Sequence, residues 1–345
     1  MVINYTGKFV LAPMVRIGEL PTRLLALQHG AQLVWTPELI DKKILTLERS
    51  INSKLHTIDY CSKKGNKKIP GVTDLVFRTF PEMEKGKLIL QMGTADPEIA
   101  VQAASIVIQD VDGIDINAGC PKHFSIHAGM GAALLKTPEL LCSILKKLVE
   151  EVGKPNGKPI SVKIRILEDE KSTLELVEKL CLTGISNLTM HCRRREMRNR
   201  EAPIRDYVKS VKELCLKHGV SFILNGGVQN YQQFVELQKE YGEDCGVMIA
   251  EAAETNATCF SKDGPKSWYV VAKEFIRWCV KFNQHPANAK YCLARIIPNP
   301  NGKNKIYALV SKSKTLDQMK TILLDQMDDE GNFIETKSEQ IDGAC

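Results

Sequence analysis

Gly113-Ile114-Asp115-Ile116-Asn117-Ala118-Gly119-Cys120-Pro121-Lys122 begins as an apolar run and breaks into polar and turn-forming residues. The isoleucines read as a buried strand, and Gly119 with Pro121 ends it. The same shape recurs along the chain. Eight runs read as buried parallel strands, at residues 9–12, 33–36, 88–91, 113–116, 160–164, 187–191, 221–224 and 246–250. Amphipathic helices lie between them. Thr137-Pro138-Glu139 reads as an N-cap with Pro at the first helical position, and Gly153 as the stop. Ser172 with Glu175, and Asn230 with Gln233, read as capping boxes, closed by Gly184 and Gly242. Strand followed by helix, eight times over, predicts an α/β fold of the (β/α)8 TIM-barrel kind; an open doubly wound sheet is the alternative.

Outside this alternation, residues 60–74 read as a basic, breaker-rich loop and 75–79 as an inserted strand. After residue 255 only helices are expected, at 267–282, 287–297 and 315–325. The predicted organisation is a catalytic barrel over 1–255, a small all-α helical domain over 256–325 and a disordered acidic tail over 326–345. Charge follows the same division. The net charge of the chain is +6, yet residues 256–324 carry 12 basic and 3 acidic side chains, and residues 325–345 one basic and 7 acidic. The middle segment has the footprint of a polyanion-binding surface, although Lys-rich helix faces are also common for solubility alone.

Several classes are set aside. No apolar run reaches the roughly 20 residues of a membrane span. Met1–Gly7 is too short and polar for a signal peptide. The 11 cysteines include no Cys-x-x-Cys pair, which fits reduced thiols in a cytosolic or nuclear compartment. His123 and His127 stand at i,i+4 with no evident third ligand, so no metal site is expected.

Barrel enzymes place their chemistry at the C-terminal ends of the strands. Those ends read Pro13-Met14, Glu38, Gln91, Asn117, Lys163 with Arg165, His191, Asn225-Gly226-Gly227 and Ala250-Glu251. Any one alone has a bland reading: a snorkelling lysine, a core histidine, a plain turn. A polar group at nearly every strand end is a site. Just past one end, five arginines crowd into 193–200, a run that is either solvated or placed to meet phosphates.

The ordered set of motifs resembles the tRNA-dihydrouridine synthases. The likeness runs through Leu11-Ala12-Pro13-Met14, Gln91-Met92-Gly93, the quoted stretch to Lys122, and Gly129–Leu135. It continues through Lys163-Ile164-Arg165, His191-x-Arg193-x-Arg195, Asn225-Gly226-Gly227 and Asn288-x-Lys290-Tyr291-Cys292-Leu293. Met14-Val15-Arg16 and Val247–Ala250 look most like the eukaryotic subgroup that acts at D-loop position 20, in its fungal form without a double-stranded-RNA-binding domain.

The resemblance implies FMN at the barrel mouth, NADPH as reductant and tRNA as substrate. It places Pro13, Met14 and Val15 along the flavin, and Gln91 and Lys163 at its polar edge. His191 falls on the ribityl side, and Asn225, Gly226, Gly227, Ala250 and Glu251 surround the phosphate. Cys120 is the implied proton donor to C5 of the uracil, and Asn117, Arg165, Arg193, Arg195 and Lys290 the implied RNA contacts. A monomer is expected. Two departures stand out: Glu251 occupies a position where members often carry Arg, and His127 one where they often carry a fixed cation. Two rivals remain. An FMN barrel reducing a free pyrimidine-like metabolite would need neither the basic segment nor the arginine run. An idle tRNA-binding protein would not need Cys120, Lys163 and His191.

Overall fold

The computed structural model describes residues 3–63, 74–122 and 127–334. Short runs rich in β-branched and apolar residues, bounded by turn signals, suit strands covered on both faces, and the structure uses them so. Strands β1 (Phe9–Leu11), β2 (Leu33–Trp35), β7 (Leu88–Gly93), β8 (Gly113–Ala118), β9 (Ile160–Arg165), β10 (Asn187–His191), β11 (Ser221–Asn225) and β12 (Gly246–Ile249) form the barrel. They are joined in the order β2-β1-β12-β11-β10-β9-β8-β7, and a β2–β7 pairing closes the ring. Every pairing is parallel. The eight expected strands are present to within two residues at each end. A two-residue strand, β3 (Leu39–Ile40), adds to the rim of β7.

The register sets the chemistry. Asp115 on β8 stands between Gln91 on β7 and Ser161 on β9. Asn117 is level with Lys163, Lys163 with Thr189, and His191 with both Arg165 and Asn225. A parallel barrel carries neighbouring strand ends to one mouth, so residues distant in sequence become adjacent there.

Helix ends differ from their expected signals in three places. The helix Pro138–Leu148 does not stop at Gly153; a π-turn, Val149–Gly153, carries it on to Gly157, whose φ of +60° takes the left-handed conformation. The helix Glu170–Cys181 is capped by Asp169, whose carboxylate accepts from the Ser172 amide, so Ser172 lies inside the first turn. Asn230 caps Tyr231–Tyr241 as expected, but Gln233 reaches back to the amide of Gln229, one residue earlier.

Between β3 and β7 lies a three-stranded antiparallel sheet, β4 (Leu47–Asn52), β5 (Thr57–Ser62) and β6 (Asp74–Thr79). Only its last strand was expected. Residues 60–62, read as loop, complete β5, and the rest of that expected loop, 64–73, lies outside the described residues. An Arg49–Asp110 ion pair of 2.6 Å and a hydrogen bond from the Tyr60 hydroxyl to the same carboxylate fasten this sheet to the barrel. Nearby, Arg23 pairs with Glu84 at 2.6 Å and donates to the carbonyls of Gly18 and Arg78; both charged side chains are almost fully buried. Removing one partner of such a pair costs about 3–5 kcal/mol.

Helices follow the barrel: Trp268–Lys281, Pro286–Ile296, Lys305–Lys312 and Leu316–Lys320. The third of these was not expected; Asn304 caps it. Their apolar faces share one continuous core with the barrel. Against the helix Leu20–Gln28, the contacts are a His29–Glu274 pair and a Trp278-to-Gln28 hydrogen bond. The stretch after 325 is not disordered throughout. Met327 is buried and bridges to Phe333, over whose ring the Lys305 ammonium sits at 3.8 Å. The acidic tail beyond Ile334 lies outside the described residues.

Candidate active site

A cavity of about 460 Å³ opens at the C-terminal ends of the strands. It collects Pro13, Met14 and Val15 from the end of β1, Gln91 from β7 and Asn117 and Cys120 from β8. Lys163 and Arg165 come from β9, His191 and Arg193 from β10, and Asn225, Gly226, Gly227, Ala250 and Glu251 from β11 and β12. Two expected site residues are not there. Arg195 faces a neighbouring cavity. Lys290 donates to the Ser313 carbonyl at 2.8 Å and ties two helices together, so its reach is spent on the fold.

Beneath the cavity lies a chain of buried polar groups that reaches its lining at Gln91, Lys163 and His191. Gln91 Nε2 and Ser161 Oγ donate to the two oxygens of Asp115, at 2.8 and 2.7 Å. Burial pushes the Asp115 carboxyl up to about 6, against the pull of those two hydrogen bonds and of Lys163. The Lys163 ammonium makes no hydrogen bond among the described residues. Burial, and then the Arg165 cation, push it down to about 8, with Asp115 opposing. Burial, followed by the charges of Lys163, Arg165 and Arg193, also holds His191 far below its ordinary value, so its ring is neutral at pH 7. Arg193 Nη1 donates to His191 Nε2 at 3.3 Å, which fixes the ring.

The Cys120 turn is gripped from both sides. Asn117 Oδ1 accepts the amides of Gly119 and Cys120 at 3.0 and 3.2 Å, while its Nδ2 donates to Glu38 at 2.9 Å. Arg165 Nε donates to the Gly119 carbonyl at 2.9 Å, and the Cys120 carbonyl accepts from Ala132. The thiol therefore has a fixed place on the cavity wall. Glu38, read as a strand-end residue, thus works by orienting Asn117; burial raises its carboxyl pKa.

Gly226 and Gly227 form the opposite end. Their φ angles are +122° and +72°, and their amides donate to no group among the described residues. A Cβ on Gly226 would meet the His191 ring at 3.1 Å, and one on Gly227 would meet Pro203 at 3.0 Å. Arg205 donates to the Gly226 carbonyl at 3.3 Å and leaves its buried Nε without a partner. Free amides beside an under-used guanidinium are an anion site. Arg205 was missed because it lies fourteen residues beyond the nearest strand end, His191, in sequence.

The mouth has one more wall. Arg16, at φ +70°, passes its carbonyl to Asn288 at 2.7 Å and lays its guanidinium over Tyr291 at 4.2 Å. Tyr291 and Arg295 line the cavity, and Arg295 bonds Glu254 at 3.2 Å and the Tyr291 hydroxyl at 3.1 Å. The helical segment thus completes the site.

Among the described residues no group of acids, histidines and cysteines is arranged to hold a metal ion, and no helix is long and apolar enough to cross a membrane. The family model for dihydrouridine synthase matches residues 10–297. The tRNA-dihydrouridine(20) synthase [NAD(P)+] of Saccharomyces cerevisiae is 50% identical over 99% of this chain and 89% of its own length. The protein of that name from Schizosaccharomyces pombe is 46% identical over 92% of this chain and 65% of its own length. A human tRNA-dihydrouridine(20a/20b) synthase [NAD(P)+]-like protein is 29% identical over 90% of this chain and 89% of its own. The match spans the barrel and the first two helices behind it, so the chain belongs to the dihydrouridine synthase family.

Proposed function

We propose that this protein is an FMN-dependent tRNA-dihydrouridine synthase that reduces the C5=C6 bond of a D-loop uridine, at position 20, with NADPH. The observation that carries the reading is the Cys120 turn, clamped by Asn117 and Arg165 beside a cavity with a cationic floor and an anion site at its far end. The relatives named for position 20 and similar over most of this chain support the choice of uridine.

The residues present fit FMN. The Lys163 ammonium, which makes no hydrogen bond among the described residues, and the Gln91 amide suit the polar edge of a flavin, and Pro13, Met14 and Val15 suit its apolar face. The free amides of Gly226 and Gly227, with Arg205 behind them, suit the phosphate. Glu251 is exposed at the rim and its carboxylate adds nothing to that end, so backbone amides and Arg205 replace the Arg common in the family. When bound, FMN accepts a hydride from NADPH and supplies it to C6 of the uracil.

The remaining work belongs to side chains. A uracil must leave its stack to enter a cavity of this size. Arg193, held to the carbonyls of Asn199 and Glu201, places a buried cation in the cavity wall. The Cys120 Sγ holds a proton and gives it to C5, so that hydride and proton together saturate the double bond. Neutral His191 keeps a second acid away from that step. The protein acts as a monomer in the cytosol or nucleus; that the ten described cysteines form no disulfide fits such a compartment.

Incubation with unmodified tRNA and NADPH, followed by nucleoside mass spectrometry, tests the reading. Dihydrouridine at position 20 is the expected product. Reduction of free uridine or uracil in preference to tRNA would hand the site to the metabolite rival, and a colourless, flavin-free protein that only binds tRNA would hand it to the idle one.

A further inference from the structure

Arg195 does not reach the Cys120 cavity, and the cavity it does line is larger, about 830 Å³. The two share Pro121 and Lys122, the residues that follow Cys120, so a single lip separates them. The floor of the second is apolar: Ala132 and Ile166 are buried, and Leu135, Leu167 and Met197 are partly so. Its rim is cationic. Lys136, Arg195 and Arg198 make no ion pair and no side-chain hydrogen bond among the described residues. Of the two acids on the rim, Glu168 is drawn to Arg194 at 3.7 Å, which leaves Glu196 against three cations.

The loop that carries these cations is already in shape. Arg193 donates to the carbonyls of Glu201 and Asn199 at 2.8 and 2.9 Å. The Arg194 amide meets Met197 Sδ at 3.3 Å, and Arg165 Nη1 holds the Arg194 carbonyl at 2.9 Å. The backbone is thus anchored through the same Arg165 that positions Cys120. Ordering cost at the moment of binding is small for such a loop.

A flat apolar slot with unpaired cations on its rim matches one nucleotide: a base against Leu135, Leu167 and Met197, with its phosphate at Arg195 and Arg198. A uracil delivered to Cys120 belongs to a strand, and the shared lip at Pro121-Lys122 is the short way out for its neighbour. We infer that the second cavity is a subsite for one nucleotide adjacent to the target uridine in the RNA strand. It gives the enzyme a grip on the strand next to the extruded base. This rests on the reading that the substrate is RNA.

The test uses the full-length flavoprotein and three unmodified tRNA transcripts: intact, abasic on the 5′ side of the target, and abasic on its 3′ side. Wild-type protein is expected to lose about tenfold in kcat/KM on one of the abasic transcripts. In Met197→Ser that penalty shrinks to about twofold or less. The double variant Arg195→Ala/Arg198→Ala raises KM for tRNA about tenfold and flattens log K against log salt by about one unit. Its KM for NADPH and its flavin content stay as in wild type. Equal abasic penalties in wild type and Met197→Ser would overturn the proposal. So would a raised KM for NADPH with an unchanged KM for tRNA, which would give the cavity to the phosphorylated adenosine of the reductant. Absence of dihydrouridine from the wild-type reaction sinks the RNA-reductase reading instead. Filter binding of the same transcripts then decides the cavity by itself.

Discussion

Charges at the barrel mouth and charges on the helices behind it are held in opposite ways. On the helices, Lys273 meets Asp329 at 2.8 Å, Lys266 meets Glu274 at 2.9 Å, and Lys281 sits near the rings of Phe80, Trp278 and Phe282. Lys290 is spent on a carbonyl. At and beneath the mouth, half-buried Lys163 makes no hydrogen bond among the described residues, buried Asp115 is pushed toward its neutral form, and His191 is held neutral among three cations. Satisfied charges build the fold. Unsatisfied buried charges cost stability, and a fold keeps them where a ligand or a reaction uses them.

The largest effect expected from this contrast is at Cys120. Cys120→Ala should leave FMN content and flavin reduction by NADPH near wild type, yet slow tRNA reduction by about 10²–10⁴-fold, the range of a lost general acid. Stopped-flow traces of the two half-reactions measure this. Equal loss in both would make Cys120 part of the frame, like the helices' lysines, and break the comparison at its centre.

Lys163 sharpens it from the other side. Lys163→Met should weaken FMN binding by about a hundredfold. Its apoprotein, relieved of a buried cation, should melt about 2 °C higher at pH 7. The sign follows from the direction of the shift. A lysine whose folded value is lowered to about 8 opposes folding while charged, and that cost fades as pH rises from about 8 to the unfolded value. Wild-type FMN affinity should run the opposite way, falling above pH 8 as the ammonium loses its proton. Fluorescence titration of apoprotein across pH 6–9.5 would show a step in wild type and none in Lys163→Met. A lower melting temperature for the variant apoprotein would mean that Lys163 stabilises the frame.

The barrel was legible because parallel strands covered on both faces leave short runs rich in apolar residues, and helix signals recur between them. Strands β4 and β5 escaped although β6 was expected; in β4, Glu48, Arg49 and Ser50 are exposed and leave no apolar run. Strand ends announced the site for the same reason in reverse: polar residues at the end of a buried run need an explanation. Where Arg195 and Lys290 turn was not legible, because nearness to a motif in sequence does not say which way a side chain points. Arg195 lies four residues beyond His191 and faces the next cavity; Lys290, in the same helix as the cavity-lining Tyr291, turns to Ser313. Arg16, Tyr291 and Arg295 meet only through the docking of a helix more than 270 residues downstream of the first, which no local pattern encodes.

A smaller effect is expected from the exposed lysines on the helical segment. Lys303, Lys312 and Lys314 are exposed, and neutralising all three should flatten the salt dependence of tRNA binding by about two units in log K against log salt. FMN content and NADPH oxidation without tRNA should not move. If tRNA affinity is unchanged at every salt concentration, the RNA-facing charge lies wholly in the arginine loop beside the barrel mouth.

The smallest effect belongs to Lys290, and it separates the two kinds of charge on a single residue. If Lys290 is a frame lysine, Lys290→Met removes one charged donor from the Ser313 carbonyl, a loss of about 1.5–3 kcal/mol offset by the apolar replacement. Urea titration should then show a net loss of about 1 kcal/mol, while the salt dependence of tRNA binding stays at the wild-type slope. Lys290→Gln, which keeps a donor, should recover part of that stability. Were Lys290 an RNA contact instead, both variants would keep full stability and both would lose slope. The 2.8 Å bond to Ser313 favours the first outcome, because a lysine that follows a moving phosphate must first give up that carbonyl, although two of its donors are left.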